Sequence, residues 1–214
     1  MLLTGCGWQA EQEQEAELEI VQDQEQEGMS IVKVIAGSSK GSGVIYEQTE
    51  SVFVIVTAGH VLEMGDETIE VVFEDGYSVK AESYVISRTS EAAFVTIPLK
   101  DISKKNLKNY QTVQVDKAAF DALAEGDFLT LRGAAYEEVE WKQSGTLLYP
   151  WIYVEDFGQY MMLVQGECEP GMSGGALFDI EGNYCGILCG VNENGETAVV
   201  PLSVIMTEYM QAYQ

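Results

Sequence analysis

"ECEPGMSGGAL", residues 167–177, decides the fold according to whether it is a flexible turn or the seat of a nucleophile. Glycines on both sides of Ser173 open φ values closed to other residues and let a second backbone approach closely. A turn built this way exposes Ser173 Oγ and turns the amides of Gly171 and Ser173 toward one point. Two converging N–H donors are what a developing carbonyl oxyanion requires. Pro170 and Met172 bring no chemistry of their own and set the shape of the turn. A plain glycine-rich turn has the same composition, so the remainder of the chain has to supply a base.

One candidate base exists. The single histidine, His60, ends the apolar run "VFVIVTAGH", residues 52–60. A lone histidine is more often a surface or satisfied core residue than a catalyst, and its surroundings have to decide. Those surroundings are β-type throughout. "IVKVIAG", "GVIY", "VFVIVTA", "TIEVVF", "YSVKAESYVI" and "AAFVTIPL" are rich in Val, Ile, Phe and Tyr, and Gly, Asp, Asn or Ser breaks them every eight to twelve residues. Asp75-Gly76, Gly182-Asn183 and Asn194-Gly195 mark tight turns. Residues 99–112, "LKDISKKNLKNYQT", lack the pattern and are read as a crossover to a second set: "DFLTLRG", "SGTLLYPWIYV", "YMMLVQG", "GALFDI", "NYCGILCGV" and "TAVVPL". Two all-β halves of similar size fit two small packed barrels better than one sandwich. "PLSVIMTEYMQAY" has helical spacing and predicts a short terminal helix packed on the second barrel.

Taken together, "GSGVIY", "VIVTAGHV", "EAAFVTI", "PGMSGGALFDIEGNYCGI" and "AVVPLSVI" resemble, in this order, a chymotrypsin-fold (trypsin-like) serine protease. Within that class the chain looks most like the protease domain of the Deg/HtrA-type bacterial enzymes, over about residues 30–207. The resemblance implies two six-stranded antiparallel β-barrels with the active site in the cleft between them. By position, Ser173 would be the nucleophile and His60 the general base. The amides of Gly171 and Ser173 would form the oxyanion hole.

The third member departs from the pattern. The family carries an aspartate before its apolar strand, where "SEAAFVTI" places Glu91. Glutamate can orient an imidazole, and Ser-His-Glu arrangements occur on another hydrolase fold. Its extra methylene requires the backbone to retreat, and the alternative is an ordinary exposed charge. Asp66 and Asp101 are the spare acids nearby. The resemblance further implies a primary substrate pocket lined by Glu167, Cys168, Leu188 and Gly190. Glu167 at its base, with Glu169 beside it, leads to an expected preference for Lys or Arg before the scissile bond, the alternative being that these acids face solvent. Cys168 and Cys189 would flank the same pocket, which allows a disulfide between them. Cys185 and Cys189, four apart on one strand, would sit roughly 13 Å apart and cannot pair. Three reduced thiols acting as apolar fillers are the other possibility.

Composition bounds the partners. The 214 residues are 46% hydrophobic, enough for one well-buried domain or two small packed lobes, and no apolar run reaches bilayer-spanning length. The formal charge is −24, which repels phosphate backbones and excludes nucleic acid, while basic or unfolded polypeptides remain open. Leu3-Thr4-Gly5-Cys6 looks like a bacterial lipoprotein box, with Cys6 as the lipidation site, although only five residues precede it. The expected organisation is therefore a lipobox remnant over residues 1–6, a disordered Glu/Gln-rich tether over 7–29 and a protease domain over 30–214. With the sequence running to Gln214, the PDZ module that many Deg/HtrA relatives carry is not expected. The expected function is a serine endopeptidase acting on polypeptides without metal or organic cofactor, exported and held at the cell surface, touching membrane only through the lipid. The competing expectation is a binding module of the cell envelope in which catalysis is impaired, with Glu91 as its main support.

Overall fold

The structure, a computed structural model, describes residues 29–63, 68–134 and 141–213. The expected lipid site at Cys6, nearly all of the expected tether and the spare acid Asp66 lie outside these residues.

Thirteen strands follow the β-type runs: β1 Ile31–Ala36, β2 Ser39–Gln48, β3 Val52–Ala58, β4 Ile69–Phe73, β5 Ser78–Lys80, β6 Ser83–Ile86, β7 Ala92–Pro98, β8 Phe128–Gly133, β9 Trp141–Val154, β10 Gln159–Gln165, β11 Ala176–Phe178, β12 Tyr184–Val191 and β13 Glu196–Pro201. Among the described residues four α-helices accompany them: α1 Gly59–Glu63, α2 Lys104–Leu107, α3 Lys117–Asp121 and the terminal α4 Leu202–Tyr213. Gly76, Gly182 and Gly195 have φ values of 80°, 83° and 72°, as the tight turns predicted there require.

The second half closes into the expected six-stranded barrel, in the order β10-β13-β12-β11-β8-β9. The first half is a curled sheet of seven strands, β5-β4-β1-β2-β3-β7-β6. Its seventh strand arises because "YSVKAESYVI" breaks in the middle and serves both edges. Ala81 N donates to Ile69 O and the next residue, Glu82, donates to Thr96 O, both at 2.9 Å. One bend in the chain thus draws the two sheet edges toward each other. The crossover expected over residues 99–112 is present as a 3₁₀ turn and α2, with α3 following it, and among the described residues no helix is long and apolar enough to cross a membrane.

Leu129, Leu131, Leu147, Met162, Val164 and Leu177 belong to the core of the closed barrel. A larger core starts in the first sheet with Ile31, Phe53, Ile55 and Phe94 and continues through Tyr184 and Val200 into Leu202 and Ile205 of α4. The terminal helix therefore packs on both halves, where the sequence predicted contact with the second alone. Tyr213 Oη lies 3.2 Å from Thr96 Oγ1 on β7.

Candidate active site

His60 and Glu91 are brought together by strand register. β3 and β7 run antiparallel, and their last pair is Ala58 with Ala92. One step beyond it, Gly59 N donates to Glu91 O at 3.0 Å, so the chain delivers the next residue, His60, to the Glu91 side chain. Glu91 Oε2 lies 2.8 Å from His60 Nδ1 and accepts from His60 N at 3.2 Å. The glutamate thus spans the distance in spite of its extra methylene. The hydrogen bond from the His60 ring holds the Glu91 carboxyl below the usual carboxylate range, aided by the His60 amide and opposed by partial burial. Asp101 sits in the 3₁₀ turn after the far end of β7, where its carbonyl accepts from Tyr77 Oη at 2.6 Å. It does not share the site.

The turn carrying Ser173 is fixed from the first half by Ser42. Ser42 N donates to Ser173 O at 2.7 Å, and Ser42 Oγ donates to Gly171 O while accepting from Ala134 N, both at 2.7 Å. With the two carbonyls engaged, the amides of Gly171 and Ser173 are left without a protein acceptor among the described residues. Gly174 explains the need for glycine at the next position. Its φ is 89°, and a Cβ there would stand 2.1 Å from Ser42 O and 2.3 Å from Thr57 Oγ1.

Cys189 links the two parts of the site. Ser173 Oγ donates to the Cys189 carbonyl at 3.0 Å, and the Cys189 thiol lies within the field of Glu91. Burial pushes that thiol far up, with the Glu91 charge adding to the effect. Burial likewise pushes Cys168 up to about 11 and Cys185 up to about 12. All three are free thiols, so Cys168 and Cys189 are not joined, and neutral buried thiols are poor nucleophiles. Ser173 is left as the nucleophile candidate.

A cavity beside Ser173 is lined by Cys168, Glu169, Leu188, Cys189, Gly190 and Val191, among others. Glu167, expected at its base, is exposed and rests against the turn at Gly195 instead, with its Cγ 3.3 Å from where a Gly195 Cβ would be. The acid that reaches the lining is Glu169, two residues on.

Three contributors had no signal in the sequence. Ser42 lies in "GSGVIY", a motif of the resemblance, but nothing in it says that this side chain fixes the Ser173 turn. Gln159 Oε1 accepts from Glu91 N at 3.2 Å across the two halves. Glu208, on α4, accepts from Ser87 Oγ at 2.8 Å and Thr89 Oγ1 at 2.6 Å, in the turn that leads into Glu91.

Comparison with known proteins bears on the family and the fold. The family model of the trypsin-like peptidase domain matches residues 41–187, a span containing His60, Glu91 and Ser173. No match was found among curated proteins. Among solved structures the chain is similar to Rv3671c from M. tuberculosis H37Rv, crystallised as a serine-to-alanine mutant in an inactive form. The TM-score is 0.67 at 14% identity, over 86% of this chain and 88% of that one, a likeness of fold. With the family match covering more than half of its length, the chain belongs to the trypsin-like peptidase domain family.

Proposed function

We propose that the protein is a serine endopeptidase that cleaves polypeptides through an acyl-enzyme on Ser173. The observation that carries this reading is the Glu91–His60 pair, in which one carboxylate oxygen meets both the ring Nδ1 and the amide of the same residue. A carboxylate on Nδ1 fixes the tautomer, leaving Nε2 as the acceptor for a serine proton. Ser173 Oγ gives up its bond to the Cys189 carbonyl, passes its proton to His60 Nε2 and attacks the scissile carbonyl carbon. The oxyanion that forms is met by the free amides of Gly171 and Ser173. His60 then returns the proton to the leaving amine, and water repeats the sequence on the ester. Glu169 at the cavity rim favours Lys or Arg before the scissile bond, in place of Glu167.

The same reading includes export and tethering through a lipid on Cys6, supported by Leu3-Thr4-Gly5-Cys6 and the Glu/Gln-rich stretch that follows. The motif order supports a place near the Deg/HtrA-type enzymes. One observation favours the second reading, an impaired binding module: the Ser173 proton rests on the Cys189 carbonyl. Labelling with a serine-directed fluorophosphonate separates the two. Stoichiometric labelling that is lost in Ser173→Ala and in His60→Ala supports the peptidase. No labelling of the parent chain between about pH 6 and about pH 9 supports the binding module.

A further inference from the structure

From Gln143 to Gln214 the sequence holds nine Asp and Glu and no Lys, Arg or His. This stretch, which supplies Ser173 and all of the β9–β10 hairpin beyond Trp141 and Lys142, bears acidic groups alone; Arg132 of β8 and Lys142 at the start of β9 are the cations of the barrel strands before it. Within it, the β9–β10 hairpin exposes a set of rings that folding does not use. Tyr149, Trp151 and Tyr153 alternate along β9, and Tyr160 is the direct cross-strand partner of Tyr153. They are 48%, 54%, 52% and 52% exposed. Trp151 stacks on Tyr160 with centroids 5.4 Å apart, and Tyr153 meets the same ring edge-on at 5.4 Å. Rings that brace one another lose little freedom on binding, and exposed apolar clusters of this kind mark interaction surfaces.

The hairpin is continuous with the cleft. Its turn carries the exposed acids Glu155 and Asp156. Phe157 packs on Gly190, with Cζ 3.3 Å from where a Cβ would stand, and Gly190 lines the cavity beside Ser173. Gln159, next to Tyr160, holds the Glu91 amide. Electron-rich rings beside uncompensated carboxylates attract cations that also have an apolar stem, the description of Lys and Arg. A second copy of the chain would set acid against acid, and an anionic bilayer would be repelled.

We infer that the exposed aromatic face of the β9–β10 hairpin is an exosite for a basic segment of the polypeptide substrate. The inference rests on the cleft being a polypeptide site, as proposed above. Substrate then engages at two places: the scissile bond at Ser173, and Lys or Arg side chains lying over Trp151 and Tyr160.

The test uses the full chain with Ser173→Ala, so that bound peptide stays intact. Fluorescence anisotropy compares a labelled Lys/Arg-bearing peptide of about a dozen residues with its Glu-bearing counterpart, long enough to leave the cleft. The basic peptide is expected to bind more tightly, and less so as salt rises. Adding Trp151→Ala and Tyr160→Ala should weaken it about tenfold. Glu155→Lys with Asp156→Lys, at an exposed turn, tests the charge without touching the rings and should weaken it as well. Equal binding of the two peptides, or unchanged affinity in both sets of variants, overturns the exosite. So does loss, in the ring variant alone, of dimerisation or of binding to phosphatidylcholine vesicles without a change in peptide affinity. Fluorophosphonate labelling of the parent chain is a separate readout, so failure of the peptidase reading and failure of the exosite are told apart.

Discussion

One oxygen of Glu91 accepts from two donors of His60, and the backbone behind it is tied at both ends, Glu91 O to Gly59 N and Glu91 N to Gln159 Oε1. A carboxylate on a shorter stem would be withdrawn by about one carbon–carbon bond, ~1.5 Å, from a backbone that is not free to follow. Glu91→Asp, the change toward the family pattern, should therefore lower kcat by about 10- to 10³-fold, within the limit set by losing the correct tautomer, and leave KM nearly unchanged. Steady-state hydrolysis of a peptide substrate checks this, and a gain in kcat would show that the backbone does follow. The same pair makes stability depend on pH. Because the folded Glu91 carboxyl sits below its unfolded value, its contribution is present above the ordinary carboxylate range and is lost as pH falls through the lowered folded value. The Tm advantage of the parent over Glu91→Gln should thus be full near neutrality and close under acid conditions. A gap constant with pH would show that the charge is not responsible. The serine and histidine of this site were legible as short motifs, since glycine-flanked Ser173 and the lone histidine leave few alternatives. That Glu91 reaches its target was not, because strand register and the Gln159 contact decide it.

Residues 87–91 form the element on which Glu91 depends, and they are held from a distance. Ser87 Oγ accepts from Thr89 N and Ser90 N, both at 3.1 Å, which closes the turn locally. Glu208 then takes both hydroxyls in one carboxylate, tying the turn to the terminal helix. Removing it with Glu208→Ala should cost about 1 kcal/mol of stability, the modest value appropriate to partly exposed hydrogen bonds. It should also lower kcat several-fold with KM unchanged, since the turn positions Glu91 and does not touch substrate. Glu208→Gln, which keeps one acceptor, should recover part of both. An unaltered kcat in Glu208→Ala would reduce the contact to a purely structural one. Strands were the most legible elements, because alternating β-branched and aromatic residues between Gly, Asn and Asp turns have few other uses. "YSVKAESYVI" was legible as β structure but not as two strands, for nothing local reveals that its halves pair with opposite edges. The Glu208 contact spans about 120 residues and leaves no local trace.

At the scale of the molecule, the site exists only while the two halves stay in register, and a chain of aromatic rings crosses between them. Tyr184, fully buried on β12, meets Phe178 in its own barrel at 6.1 Å and Tyr46 of the first sheet at 6.2 Å. Tyr46 in turn meets Tyr209 of α4 at 5.4 Å, and Tyr209 meets Phe94 of β7 at 5.6 Å. The Tyr184 hydroxyl has no hydrogen-bond partner among the described residues, and burial drives its pKa well above the usual value, so it stays neutral. The ring and the hydroxyl should therefore act in opposite directions. Tyr184→Ala opens a cavity where the halves meet and should cost about 3–5 kcal/mol. Tyr184→Phe keeps the packing and removes a buried polar group, so its stability should equal or exceed that of the parent by up to about 1 kcal/mol. Whether the seam couples the halves is read from two probes. Trp141 and Trp151 both lie on β9, so in a Trp8→Phe background, which removes the third tryptophan of the chain, tryptophan emission follows the second half, while far-UV circular dichroism follows both. In urea the two transitions should coincide in the parent and move together in Tyr184→Ala, because a ring in the core that runs between the halves destabilises both when it is lost. Separate midpoints in the parent, or a shift confined to the tryptophan signal in the variant, would show that the halves fold independently and that the register of the site is set by Ser42, Gln159 and Glu208 alone.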